Sequence, residues 1–579
     1  MALYPYRRWL ALLAILLFYG LALNSLRGDS PTMDEQNHVA RGLAYLRTGD
    51  PRLSVEHPPL VNLISALPLL TMPEIELPLD SPSWRRQPPD VFWYLFADEM
   101  IWQTNRGLDL QKLFFLARLP IVYLTIFLAL VAWRFAQRAW SGWAPLLVFC
   151  FLLFDPNILA HGRYVTTDLG GTLFIFLATY LLWQLWQDGR GSTRRWLLAA
   201  LGLGLAFAAK LSALAFLPIW FLLAFLPLYG EEPWQWRDAA RRAGQLLSAA
   251  AAAALIVWAI FGFEWGHYQF LDPRLAALNA VVGPLPTYLA GIERILLLSE
   301  GGRPAFLLGQ FSNSGFPLYF PIAFAVKTPL LTLLLFAMAV VLLLWNGRTR
   351  RVAFFLLLPI LAYFALSMAS ALNIGYRHLL PVLPFVYMLI SGLVAPDTAA
   401  WLAQKAALRA PNARFPFPST GALLGGVLVA MLVGADLLLH PHYLSYFNML
   451  AGGPENGQRI LIDSNIDWGQ DLLRLRRWAR ENDVEQLKLW WFGTADPDYY
   501  GLSYEALPGW PRQPFSGQWT NPPFNTVSPE PGIYAISASS LWELPLAEKN
   551  VYPWFREREP DDRVGYSVLI YRVPQAHEP

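Results

Sequence analysis

Two adjacent carboxylates, Asp34 and Glu35, stand in the run Thr32-Met33-Asp34-Glu35-Gln36-Asn37-His38, a few residues after an apolar stretch ending near Leu26. Further on, Glu56-His57-Pro58-Pro59-Leu60 places a titratable pair ahead of two prolines that stiffen the backbone. A carboxylate so placed can take a proton from a hydroxyl. Its position past an apolar run keeps it at a membrane surface but out of the hydrocarbon, where a charge costs roughly 2.5–3.5 kcal/mol on insertion scales. The first loop therefore has the composition of an active-site loop. The plain alternative is that Asp34-Glu35 begins a solvated loop or caps the helical-looking Val39–Leu46.

Other ionisable groups fall at corresponding places. Asp168 opens an apolar run in Gly162-Arg163-Tyr164-Val165-Thr166-Thr167-Asp168, and Lys210 sits between two short apolar runs. Lys327 starts another in Ala325-Val326-Lys327-Thr328-Pro329, and Tyr376, Arg377 and His378 precede a further one. Each has a plain reading too: a helix cap for Asp168, a snorkelling stem for Lys210, interfacial anchors for Lys327 and Arg377, a buried structural imidazole for His57 or His378.

The elements that must position these groups are membrane helices. Apolar runs suited to crossing lie at about 9–26, 113–133, 143–160, 167–187, 196–209, 212–228, 243–263, 326–345, 352–371, 379–395 and 420–440. Eleven crossings put the basic clusters Arg134/Arg138, Arg190–Arg195, Arg237–Arg242, Arg348–Arg351 and Lys405–Arg414 on the same side as Arg7-Arg8. Merging the two short runs at 196–228 would export the last three, so the hairpin is preferred. The expected fold is thus an α-helical polytopic membrane protein with a cytoplasmic N-terminus and a membrane domain over 1–440. Loops 27–112 and 264–325 and a tail, 441–579, are exported. Every candidate residue then faces the exported side. The first loop, with aromatic pieces such as Val91–Gln103, suits helices lying in the interface. The tail has strand-like pieces at Arg459–Asp463, Lys488–Phe492, Gly532–Ala538 and Tyr566–Tyr571 and a helix near Gln470–Glu481, which predicts a small α/β domain.

Composition agrees: of 579 residues 55% are hydrophobic and only 15% charged, whereas a soluble globule carries nearer a quarter. The start, Arg7-Arg8 then Trp9–Leu26, has the charge order of a signal sequence but too long an apolar run, so it is expected to remain as the first span. No basic run with interleaved aromatics suggests nucleic acid. The single cysteine, Cys150, lies in an apolar run and excludes a disulfide framework and a thiolate zinc site. No metal cage is evident, so no cofactor is expected; Asp34 and Glu35 with His57 would hold a divalent ion only weakly.

The chemistry that fits is glycosyl transfer from a polyprenyl-phosphate sugar, with Asp34 as base and Lys327 and Arg377 taking up the phosphate's charge. The ordered set Asp34-Glu35, His57-Pro58-Pro59-Leu60, Asp168, Lys210 and Tyr376-Arg377-His378-Leu379-Leu380-Pro381 resembles the GT-C membrane glycosyltransferases, in particular the branch with the protein O-mannosyltransferases and bacterial aminoarabinose transferases. The resemblance covers roughly residues 1–395. It implies catalysis by Asp34 with Glu35, inversion at the anomeric carbon, and donor binding by His57, Asp168, Lys210, Lys327, Tyr376, Arg377 and His378. It also implies a polyprenyl-phosphate-linked donor, an acceptor glycan, lipid or protein, and a site on the outer side of a bacterial-type plasma membrane. The tail departs from the mannosyltransferase pattern. There Asp467 and Trp468 can bind the acceptor sugar, Asp467 being otherwise a helix N-cap. The competing readings are a transporter or flippase, which would call for charge near mid-membrane and repeats, and a non-catalytic component of envelope polysaccharide assembly.

Overall fold

Where no water is at hand the backbone must pair within its own segment, so apolar runs become helices. In the computed structural model, which describes residues 6–86, 93–187, 192–227, 235–409, 417–507, 528–542 and 550–575, all eleven apolar runs coincide with helices. Among the described residues six are long and apolar enough to cross: Arg7–Leu26, Leu110–Ala139, Thr167–Gln187, Trp236–Ile260, Arg350–Met368 and Tyr376–Val394. Tyr319–Lys327 and Leu330–Trp345 make a seventh if counted as one span bent by 112°. The bend falls at Thr328-Pro329, where the ring removes an amide donor and blocks the helix. The remaining runs are shorter helices, such as Ala144–Leu153 and Leu211–Phe225. The chain is a multi-pass membrane protein. Arg190, Gly191, Leu228, residues 410–414 and the first two residues of Val91–Gln103 lie outside the described residues.

In the first loop, helix Glu35–Thr48 is buried from Glu35 to Tyr45. Its apolar side, Val39, Ala40, Leu43 and Ala44, joins a core with Phe96, Trp102 and tail residues Leu472, Leu475 and Leu489. Gly42 lets it approach the neighbouring helix Leu60–Ala66, since a Cβ there would sit 2.1 Å from the Asn62 carbonyl. The aromatic piece expected in the interface, Val91–Gln103, is helical over Trp93–Asp98 and Glu99–Thr104 and buries Phe96, Met100, Ile101 and Trp102. Leu60–Thr71 instead exposes Leu67 and Leu70, as an interfacial piece would.

The tail carries a five-stranded sheet ordered Tyr504–Ala506, Leu487–Trp490, Gly532–Ser537, Val568–Val573, Asp562–Val564. Leu487–Trp490 is parallel to both neighbours, and the last two pairings are antiparallel. Side chains alternate between faces. Leu487, Leu489, Ala535 and Ile570 pack under helix Leu472–Glu481, while Trp490, Tyr534, Ile536 and Tyr571 pack with Tyr552 and Phe555. The expected strand at Arg459–Asp463 is absent. Ile460–Ile462 runs between two short turns, Gly457–Arg459 and Asp463–Asn465, and fills core positions without pairing along a ladder. The turn after it is laced to the first loop. Ser30 N donates to the Gln470 carbonyl at 2.9 Å, Met33 N to the Trp468 carbonyl at 2.8 Å, and Thr494 Oγ1 to the Met33 carbonyl at 3.0 Å.

Candidate active site

Asp34 stands at the N-terminus of Glu35–Thr48 but makes no capping bond with its side chain. Its carboxylate turns to Arg377, whose Nη1 is 2.9 Å from Asp34 Oδ2 and 3.5 Å from Asp168 Oδ2. Lys210 pairs with the other oxygen of Asp168. Residues from four distant segments thus form one chain of alternating charge, Asp34–Arg377–Asp168–Lys210. Asp168's side chain is 3% exposed and Asp34's 30%, so Asp34 is the carboxylate open to a substrate. Arg377 is held from below by Trp468, its guanidinium carbon 4.4 Å from the ring centre.

Local structure explains how each side chain gets there. Asp168 lies in the first turn of Thr167–Gln187, and Lys210 is the extended residue that ends Thr193–Ala209. The Lys210 stem crosses Gly171, where a Cβ would stand 3.0 Å from the lysine Cβ. Arg377 follows Gly375, whose missing Cβ leaves room for Ser464 Oγ, 2.2 Å from where that atom would be. Ser464 Oγ donates to the Ile374 carbonyl at 2.6 Å and Tyr376 N to Asn465 Oδ1 at 2.9 Å, so the tail grips the Arg377 turn on both sides.

Several expected site residues do other work. Glu35 is wholly buried and saturated: its Oε1 accepts from Arg118 Nε at 2.8 Å and Val165 N at 2.9 Å, its Oε2 from Arg118 Nη2 at 2.6 Å and Thr32 N at 2.8 Å. A carboxylate with no free lone pair does not act on substrate, so Glu35 fixes the loop that carries Asp34. It cannot join His57 around an ion, and no group of three or more metal-ligating side chains gathers among the described residues. Lys327 is buried, its Nζ donating to the carbonyls of Leu444 at 2.8 Å and Asn465 at 2.5 Å, over the Phe447 ring. It secures the tail and does not reach Asp34. Tyr376 is buried with its hydroxyl on Thr328 Oγ1 at 2.9 Å. Asp467 is buried, accepting from Ser539 N at 2.9 Å, and burial pushes its carboxyl well above the ordinary range. It is not the N-cap of Leu472–Glu481, which starts after Asp471. Trp468 is 1% exposed and its face is taken by Arg377, so it supports the arginine and offers no open stacking surface for a sugar.

His57 does line the site, half-buried, with Nδ1 3.3 Å from Thr167 Oγ1 and its ring edge-on to His38 at 4.9 Å. Burial, with His38 and Arg41 beside it, pushes its imidazole well below the ordinary value, so it is neutral. His378 is half-buried near Phe320.

The sequence reading missed three groups. Arg118 and Arg163 are arginines within or beside apolar helices, which is itself the signal that they are paired. Arg163 and Arg474 both meet Asp29, with Tyr164 Oη 2.8 Å from Asp29 Oδ2. Burial pushes the Asp29 carboxyl up, but Arg163, Arg474 and Arg118 outweigh it and hold it down at about 2. Asp463 is the third: half-buried in the tail turn, at a φ of 60°, it feels the charges of Arg377 and Asp34, and burial raises its carboxyl to about 6. The sequence marked it only as the end of an expected strand.

No curated protein matches the chain. In solved structures it is similar to ArnT from Cupriavidus metallidurans in the apo state, with 13% identity over 99% of this chain and 100% of that one and a TM-score of 0.47. The likeness to the same protein bound to undecaprenyl phosphate is 12% over 97% and 99%, TM-score 0.46. An Archaeoglobus fulgidus oligosaccharyltransferase in complex with Zn and sulfate gives 13% over 89% of this chain and 59% of that one, TM-score 0.42. With every score below 0.5 the overlap of shape is loose. Residues 101–262 match the family described as dolichyl-phosphate-mannose-protein mannosyltransferase. That segment carries Arg118, Asp168 and Lys210, and its match supports the resemblance to the GT-C membrane glycosyltransferases.

Proposed function

We propose that the chain is an inverting glycosyltransferase that moves a sugar from a polyprenyl-phosphate carrier to an acceptor hydroxyl at the outer face of the plasma membrane. The N-terminus is then cytoplasmic and the tail exported. One observation carries the reading: an accessible carboxylate, Asp34, shares Arg377 with the buried pair Asp168–Lys210. The donor's phosphate competes for Arg377 and Lys210, the nearest cations, through charge-assisted bonds. As it takes Arg377, Asp34 is released to accept a proton. The acceptor O–H then gives its proton to Asp34, its oxygen bonds to the anomeric carbon, and the carbon–oxygen bond to phosphate breaks with the electron pair leaving on the phosphate. The carrier departs as an anion and needs no general acid. Glu35, held by Arg118, keeps Asp34 at the required place.

The test supplies purified protein with a panel of polyprenyl-phosphate sugars and a range of acceptors, and follows donor consumption. Consumption by the native chain should fall about 10²–10⁴-fold in Asp34→Asn, the range for loss of a general base. Equal consumption by both proteins would sink the proposal, as would movement of a labelled lipid across vesicles with no sugar transferred.

A further inference from the structure

Helix Glu35–Thr48 has a second side, turned away from the tail. Asp34, Asn37, His38, Arg41 and Tyr45 follow at helical spacing. His38 bonds Asn62 across to the next helix at 2.9 Å, and Tyr45 Oη donates to the Ile260 carbonyl at 2.8 Å. Along this stripe lie polar atoms with nothing to pair with. Arg41 is 1% exposed, and its Nε, Nη1 and Nη2 all lack a hydrogen-bond partner. Asn37 Oδ1, Asn62 Nδ2 and Ser65 Oγ are buried and unpartnered beside it. The Arg41 guanidinium rests 4.6 Å over the Trp93 ring, which supports its plane but satisfies none of its five donor protons. The charges of Glu56 and Asp34 reach Arg41, but no hydrogen bond does; buried polar groups are nearly always bonded, so its donors are open to a ligand.

Resting on the function proposed above, we propose that this stripe binds the transferred sugar and that Arg41 receives a carboxylate on it, making the donor a polyprenyl-phosphate-linked acidic sugar of the uronate class. Arg41 is seven residues from Asp34, about 10 Å along the axis at ~1.5 Å per residue, and its long side chain leans back toward the N-terminus. That spacing accommodates one sugar ring, its anomeric carbon near Asp34 and its far end at Arg41. Asn37 and Asn62 supply an acceptor and a donor for ring hydroxyls between the two. The phosphate stays at the opposite end, with Arg377 and Lys210. A planar guanidinium fits a carboxylate through two parallel bonds, which a neutral hydroxymethyl group cannot provide.

Thermal unfolding of the whole protein in detergent, with added glucuronate, glucose or inorganic phosphate, tests the site without requiring turnover. Glucuronate should raise the midpoint of the native chain more than glucose or phosphate does, and Arg41→Gln should abolish that difference. Arg41→Lys, which keeps the charge but not the paired donors, should retain part of it and guards against Arg41→Gln failing to fold. In transfer assays the native chain should prefer a uronate donor to the matching neutral hexose, and Arg41→Gln should lose about a hundredfold in kcat/KM on the uronate alone. Glucose or phosphate stabilising as well as glucuronate would overturn the proposal, and so would an equal loss on all donors, which would assign Arg41 to the carrier phosphate. A chain that binds glucuronate through Arg41 yet transfers nothing would refute the transferase reading and leave the acidic-sugar site standing.

Discussion

Glu35→Gln separates the two adjacent carboxylates by mechanism. Each Glu35 oxygen faces two donors: Arg118 Nε and Val165 N on one side, Arg118 Nη2 and Thr32 N on the other. Whichever way a glutamine amide lies, its NH₂ meets two donors and loses both bonds. Arg118, 1% exposed, keeps its bonds to the Asp29 and Ser30 carbonyls and the charge of Asp29 but loses the carboxylate it is bonded to. Breaking a buried pair on one side costs about 3–5 kcal/mol, a large share of the roughly 5–15 kcal/mol that holds a typical fold. In the purified protein, thermal unfolding followed by tryptophan fluorescence should fall by several degrees, and any lost transfer should track the unfolded fraction. The double variant Glu35→Gln/Arg118→Met removes both charges and should recover roughly 0.5–3 kcal/mol of the single variant's loss, the range seen for directly coupled residues. Glu35→Gln with a native unfolding midpoint and activity as low as Asp34→Asn would refute this reasoning and make Glu35 a catalytic residue.

Three further outcomes follow from the geometry. Lys327→Met keeps the stem over Phe447 but drops two charge-assisted bonds to the Leu444 and Asn465 carbonyls, worth about 1.5–3 kcal/mol each; limited proteolysis should cut the tail sooner, while donor KM in the folded fraction stays unchanged. Gly375→Ala puts a Cβ 2.2 Å from Ser464 Oγ and must push the Asp463–Asn465 turn off the Arg377 turn, so kcat should fall more than stability. His38, its imidazole pushed by burial down to about 4, is neutral when folded but titrates near 6.5 when unfolded, so the unfolded chain binds more protons below pH 6.5. Stability should therefore decline from pH 6.5 toward 4, by about 2 kcal/mol at pH 5 from this group alone; unfolding measured across that range in the native chain and His38→Gln should show a shallower slope in the variant.

Much of the fold was legible because the membrane simplifies the code. An apolar run long enough to cross must be helical, and each of the eleven runs is. Counting crossings is harder, since Ala144–Leu153 and Leu211–Phe225 are too short to cross as single helices. Charges near apolar runs led to Asp34, Asp168, Lys210 and Arg377, which the structure gathers, because an ionisable group there must be paired or exposed. The same cue could not tell an open pair from a closed one. Lys327 and Glu35 carry it equally, yet are consumed by partners 138 and 83 residues away. Trp468 looked like a stacking surface because the residue type does not reveal which molecule covers its face. The Arg459–Asp463 segment has the short β-branched-rich apolar run of a strand, Ile460-Leu461-Ile462, but is fixed by packing, and local pattern cannot report a neighbour that arrives from another part of the chain.

The distinction between closed and open networks also says what the tail does for the site. Around Asp29 each acid is enclosed: Arg163 and Arg474 hold its carboxylate, and Asp471 is taken by Arg474 and Ser567. None of these can exchange with a substrate. The chain that starts at Asp34, by contrast, has a free end. Its centre, Arg377, lies on a tail tryptophan and follows a turn clamped by tail residues Ser464 and Asn465. A guanidinium orients an anion only if its own plane is fixed, and that plane is set from the tail. Cutting the chain after residue 440 should therefore weaken donor binding even for a membrane domain that stays folded, because Arg377 would lose the surface that aims it. A truncated protein that binds polyprenyl phosphate as tightly as the full chain would show that the arginine is positioned by the membrane helices alone.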